Sequence, residues 1–222
     1  MSTVQVPRSR RRRRGPRPVA VLAALGVVTA LAAPALAVTA TFGNPAVPRP
    51  WGDGYEHFTV VDTNNPAPFD GYFTSIDFFA GWAGAVRFVV VDSDYTVTWL
   101  SEVVEVAAPG AHTADFDESV GVTEGSNLGF YAVGRSVVVM DYGFGAPAPY
   151  EANLSGPPEV GEPLELEHPL DQVAHRVYSL NAQITAASPE VCKKGGWELY
   201  GYPNQGQCIA SVVAAPASRH RP

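Results

Sequence analysis

A chain of 222 residues with 20 Pro and 21 Gly is turn-rich and long enough for one domain with extras. Seven of its fifteen Lys and Arg are Arg8, Arg10 to Arg14 and Arg17, and no Asp or Glu precedes Asp53, so the chain beyond Ala37 sets eight basic against 22 acidic side chains, a net charge of about −14. So acidic a surface argues against nucleic-acid binding, where a phosphate backbone selects Lys and Arg stripes, and suits cations or neutral ligands such as sugars.

Met1 to Pro18 is strongly positive, Val19 to Ala33 is apolar, and Ala35-Leu36-Ala37 is a small-x-small cleavage site. These are the three parts of a secretory leader. They predict a signal peptide over residues 1–37, cleaved near Ala37, and a secreted mature chain with no membrane association. Gly15-Pro16 follows the Arg run where the twin-arginine route wants an apolar residue, which favours general secretion. An uncleaved anchor is the alternative for Val19 to Ala37; Pro34 and the cleavage site weigh against it.

Residues 38–54, rich in Pro, Gly and Ala, read as a linker or extended lead-in. Short runs of β-branched and aromatic residues, punctuated by Gly, Pro, Asn and Asp, then predict strands. They fall at Glu56–Asp62, Gly71–Phe79, Ala85–Val91, Tyr95–Val106, Ala111–Phe116, Leu128–Val133 and Ser136–Asp141. Tyr142 to Glu162 reads as a long loop. Leu164 and Leu166 alternate with Glu165 and Glu167, the pattern of an edge strand. From Ala174 to Thr185, Tyr178, Leu180, Ala182 and Ile184 face one way and Val177, Ser179, Asn181 and Gln183 the other. Such spacing predicts an all-β fold, an antiparallel β-sandwich over residues 55–185.

The tail, residues 186–222, differs. It holds the chain's two cysteines, Cys192 and Cys208, with fifteen residues between them. In a secreted protein an even pair at short spacing reads as a disulfide. Cys208, Ile209, Val212 and Val213 share a helical face and Asn204 suits an N-cap, so a short helix is expected over about Gln205 to Ala214.

Two stretches resemble known families. From Thr74-Ser75-Ile76-Asp77 to Tyr131 the chain has an aromatic-Ala-Gly strand end, a Val-rich strand and a Glu124-Gly125-Ser126-Asn127-Leu128-Gly129 turn. It resembles the jelly-roll-like β-sandwich of secreted actinobacterial proteins. The tail Cys192-Lys193-Lys194-Gly195-Gly196-Trp197, followed by Asn204-Gln205-Gly206-Gln207-Cys208-Ile209, is similar to a short motif of actinobacterial exported proteins. There Val is usual where Ile209 stands, and Phe-Lys is common where Tyr202-Pro203 stands. The resemblance implies an exported protein of uncharacterised families and carries over no functional residue.

Several groups are candidates for chemistry. Asp92 with Asp94, and Asp115 with Asp117 and Glu118, are acidic turns of the kind that bind Ca²⁺; the plainer reading is solvated turns. Paired carboxylates also suit glycoside hydrolysis, although among 22 acids some pair approaches that geometry by chance. The scattered His57, His112, His168 and His175 form no triad or zinc pattern, and no catalytic residue is assigned. Trp51, Tyr55, Trp82, Trp99, Tyr142, Tyr150, Trp197, Tyr200 and Tyr202 include rings beside Gly or Pro, suited to stacking on sugar faces. Core packing is the alternative for Trp82 and Trp99, and docking of the tail for Trp197. Asn153-Leu154-Ser155 is a glycosylation sequon, relevant only in a host with that machinery. The expectation is a secreted, non-catalytic module that binds carbohydrate, cell wall or protein, with no cofactor beyond Ca²⁺. An extracellular polysaccharide hydrolase and a purely structural exported protein are the alternatives.

Overall fold

The computed structural model describes residues 37–152, 156–166 and 174–214. The leader before Ala37 and the sequon at Asn153 lie outside the described residues. The strands are β1 Thr39–Gly43, β2 Trp51–Gly52, β3 Phe58–Asp62, β4 Gly71–Ala80, β5 Gly84–Val91, β6 Val97–Leu100, β7 Val104–Val106, β8 Gly110–Val122, β9 Asn127–Ala132, β10 Val139–Pro147, β11 Tyr150–Ala152, β12 His175–Tyr178 and β13 Leu180–Ala186. A 3-10 turn at Pro189–Cys192 and the helices α1 Gly196–Leu199 and α2 Gln205–Ala214 follow.

Two antiparallel layers stack as a jelly-roll-like sandwich. One has the order β1-β13-β4-β8, the other β11-β3-β9-β5-β6 with β7 also on β5, and a ribbon β12-β10-β2 joins them. The alternation in sequence decides which side chains meet. Phe42, Ile76, Phe78, Leu180 and Ile184 of the first layer share one core with Val86, Phe88, Val90, Leu128 and Phe130 of the second. Phe78 meets Phe88 edge-on at 5.1 Å, so truncating either to Ala removes about 3–5 kcal/mol. β5 is covered on both faces, which is why Phe88-Val89-Val90-Val91 is continuously apolar. Its other face, Val89 and Val91, packs on Val61, Val97 and Leu164.

Several boundaries differ from those expected. Residues 38–54 are no linker: β1 lies along β13 with Phe42 in the core, and β2 pairs with β10. Five residues between flanking Pro and Gly suffice for a strand when a neighbour supplies the ladder. β10 runs on through the stretch read as a loop, with Gly143 and Gly145 at φ 81° and 78° absorbing a register shift against β12. Leu164 and Leu166 form no edge strand; Leu164 donates its N–H to the Tyr95 carbonyl (3.0 Å) and caps the outer face of β5. Tyr95–Val106 divides into β6 and β7 at Ser101-Glu102-Val103.

The closing strand changes sheets at its midpoint. Ser179, fully buried, donates its N–H to Val139 of the ribbon (2.9 Å) and accepts from Phe79 N–H of the first layer (3.0 Å). Two carboxylates hold this crossing. Asp62 accepts from Tyr178 N–H (2.8 Å) and Asn44 Nδ2 (2.7 Å) on one oxygen and from Asn64 N–H (2.9 Å) and Nδ2 (2.7 Å) on the other. Asp53 accepts from the Tyr178 hydroxyl (2.6 Å) and Arg176 Nη1 (2.8 Å). Both acids are buried. Burial pushes both pKa values up, opposed for Asp53 by Arg176 and the Tyr178 hydroxyl, and for Asp62 by its hydrogen bonds.

The tail forms the expected staple. Cys192 and Cys208 are bonded and fully buried. Asn204 Oδ1 caps α2, accepting from Gln207 N–H at 2.9 Å. The helix buries Cys208, Ser211 and Val212, whereas Val213, expected on that face, is 69% exposed. Tyr200 lies edge-on to Phe69 at 5.6 Å, docking the tail on the sandwich.

Replacing Cys192 and Cys208 by Ala is expected to destabilise the tail by about 3 kcal/mol, read as a lower melting midpoint and lost helical signal; an unchanged midpoint contradicts the staple. Asp53→Ala strands the Arg176 guanidinium in the interior and is expected to cost about 3–5 kcal/mol, with Asp53→Leu/Arg176→Met recovering part of it. Because Asp62 has a folded pKa above its ordinary value of 3.8, its stabilising share is full below that value and is lost as pH rises through the folded one. The stability advantage of the native chain over Asp62→Asn should therefore widen as pH falls from neutral, measured by urea titration at several pH values.

Candidate functional site

The sandwich is open along one side, where the edge strand β8 of the first layer faces β6 and β7 of the second. β8 does not pair evenly there. Phe73 lies opposite Val120 and Ser75 opposite Asp115, so four residues of β8, 116–119, face Thr74 alone. This wide bulge re-aims the side chains around it, a device common beside binding sites. Phe116 turns inward and packs edge-on against Trp99 at 4.9 Å, and Trp99 in turn meets Phe73 at 5.7 Å. Asp117 and Glu118 remain at the surface.

Opposite the bulge, the β6–β7 connection is pinned. Ser101 Oγ accepts from Phe88 N–H (2.8 Å) and donates to the Glu102 carbonyl (2.7 Å), and Arg87 Nε donates to the Ser101 carbonyl (2.6 Å). Glu102 and Val103 therefore stand outward on a fixed backbone.

The result is a groove of about 850 Å³, with Trp99 and Phe116 half-buried along it and Glu102, Asp115, Asp117 and Glu118 beside them. Its size suits a ligand of several rings. Among the described residues, none of the four carboxylates has an ion-pair or hydrogen-bond partner on its side chain. The groove thus offers an aromatic surface with concentrated, uncompensated negative charge. It can take a ligand with apolar ring faces and hydroxyl or ammonium donors.

The acidic residues singled out in sequence divide between two places. Asp115, Asp117 and Glu118 line the groove. Asp92 nucleates a turn instead, one oxygen accepting from Asp94 and Thr96 N–H at 2.9 Å each. Among the described residues, no three His, Cys, Asp or Glu side chains converge as metal ligands.

Of the aromatic candidates Trp99 lies in the groove, and the others form no single platform. Trp51 is 59% exposed on β2. Tyr55, equally exposed, stacks on Tyr150 at 6.3 Å. One face of Trp82 is covered by the Arg135 guanidinium at 3.8 Å, and its ring lies against Gly52, where a Cβ would collide with it. Trp197, Tyr200 and Tyr202 pack the tail onto the core.

Phe116 and Glu102 escaped the sequence reading, and Trp99 stood there among the aromatic candidates with core packing as its alternative. Trp99 reads as core because its neighbours alternate, and Phe116 as the end of a strand. The available signal was Asp115-Phe116-Asp117-Glu118, a polar-aromatic-polar run inside a strand. The two acids whose pKa values are raised, Asp53 and Asp62, are buried in the interior network with every oxygen occupied. Neither can protonate a leaving group on a polymer at the surface. Compared with known proteins, the chain matches no family model, no curated protein and no solved structure.

Proposed function

We propose that this is an exported, non-catalytic β-sandwich module that binds a saccharide chain of the cell wall or extracellular matrix in its edge groove. The observation that carries this reading is the pairing of Trp99 and Phe116 with four unpartnered carboxylates in one concave surface. Aromatic rings supply apolar contact to sugar faces, and carboxylates accept from hydroxyl or amine groups that fix orientation. The leader pattern, and a disulfide that needs an oxidising compartment to persist, support export. The likeness to actinobacterial exported proteins belongs to the same reading.

Retention of the purified protein on insoluble cell-wall polysaccharide is the direct test. Trp99→Ala is expected to weaken binding by about 2 kcal/mol, roughly thirtyfold in Kd. Because Trp99 also packs on Phe73, the paired surface change Asp117→Asn/Glu118→Gln serves as the second arm. It is expected to weaken binding with an unchanged melting midpoint. Absence of retention by the native chain on any wall or matrix polysaccharide overturns the reading. Release of soluble sugar during incubation overturns its non-catalytic part.

A further inference from the structure

The outward face of the first layer carries a second concave surface, of about 530 Å³, and cross-strand register builds it. Thr41 of β1 lies opposite Gln183 of β13, Asn181 of β13 opposite Asp77 of β4, and Asp77 opposite Thr113 of β8. Five polar side chains from four strands thus line one trough, about 14 Å across at the usual spacing of strands. They are held in place by one another. Gln183 Nε2 donates to Thr41 Oγ1 (2.9 Å), Thr113 Oγ1 donates to Asp77 Oδ1 (2.6 Å), and Asn181 Nδ2 donates to the Asn44 carbonyl (3.0 Å).

These bonds leave acceptors open, beside the Thr41 hydroxyl hydrogen and the second amide hydrogens of Gln183 and Asn181. Among the described residues, Gln183 Oε1, Asn181 Oδ1 and Asp77 Oδ2 have no partner, and none of the four strands contains Lys or Arg. A fixed array of acceptors on a sheet face selects a ligand that brings donors. It lies away from the backbone ladder, so an extended peptide cannot bind it by adding a strand. Hydroxyls and amines distributed along a chain fit it.

The trough and the groove come close together along β8. Thr113 and Asp115 point to the same face of β8, about 7 Å apart, and Asp115 is a groove residue. Resting on the reading of the groove given above, we propose that trough and groove form one continuous track for an amino-sugar polysaccharide with free amines. The strand lies across the four strands, turns over the β8 edge at Asp115 and ends against Trp99. Charge complementarity favours the amine: the track holds Asp77, Asp115, Asp117, Glu118 and Glu102 with one histidine, His112, and no Lys or Arg among its lining residues.

The test uses chitosan oligosaccharides of graded length, their fully N-acetylated counterparts and a Lys-rich peptide, titrated calorimetrically into the native protein. Affinity is expected to rise with length until trough and groove are both covered, to fall with salt, and to be weaker for the N-acetylated series. The change Asp77→Asn/Gln183→Ala, with Thr41→Val as an independent variant, is expected to weaken the longest oligomer about tenfold and leave the shortest unchanged. Equal binding of the longest oligomer by native and trough variants, while Asp117→Asn/Glu118→Gln still weakens it, overturns the track and leaves the groove reading standing. Equal affinity for the N-acetylated series, or a Lys-rich peptide whose binding depends on Asp77 and Gln183, overturns the assigned ligand. No saccharide binding at either surface removes both readings.

Discussion

One strand must leave one sheet and enter another, and the structure depends on how that crossing at Ser179 is satisfied. A strand that changes sheets leaves N–H and C=O groups between two ladders, in the interior, where an unpaired group costs about 1–3 kcal/mol. Here Asp62 takes the Tyr178 N–H, and Ser179 divides its own pair between Val139 and Phe79. Asp53 then fixes the Tyr178 hydroxyl and the Arg176 guanidinium. With Tyr178 held, its ring packs on Phe130 at 5.2 Å, and β13 can lie between β1 and β4. The register that creates the polar trough follows from this placement.

The other governing constraint is the free edge of β8. A strand of 13 residues with an open ladder invites association with another chain. The bulge at 116–119 interrupts the ladder, and acidic side chains beside it discourage a second strand. The same two features make the groove, since the bulge rolls Phe116 inward to Trp99 and leaves Asp117 and Glu118 at the rim. Protection of an edge and construction of the groove are here one structural solution.

Legibility followed the range of the interactions. The alternation from Ala174 to Thr185 predicted the buried set Tyr178, Leu180, Ala182 and Ile184, because a two-residue period is local. The disulfide and the Asn204 cap were readable for the same reason. Trp51-Gly52 and the second half of β10 were not, because a two-residue strand has no period and Gly143 and Gly145 resemble a loop until their φ values are known. The network at Tyr178 joins Asn44, Asp53, Asp62 and Arg176 across as many as 134 positions, and no local pattern announces such a gathering. The groove was half legible: Asp115, Asp117, Glu118 and Trp99 stood out in the sequence, but Phe116 reaches Trp99 only through a register shift that pairing with β4 creates.

The carboxylates of this chain divide into two physical classes. Asp53 and Asp62 are buried, and every oxygen is occupied; removing any partner leaves a charge or a dipole without compensation, so they hold the fold. Glu102, Asp117 and Glu118 lie at the surface without partners, in a chain that is already strongly acidic. Their mutual repulsion is modest in water and screened within about 8–10 Å at ordinary ionic strength, but it is unrelieved by anything the described residues supply. A positively charged ligand removes that repulsion as it binds, whereas a neutral one leaves it in place. On the proposed reading, a preference for cationic chains over neutral ones would follow from the free protein's own electrostatics, before any specific contact is made.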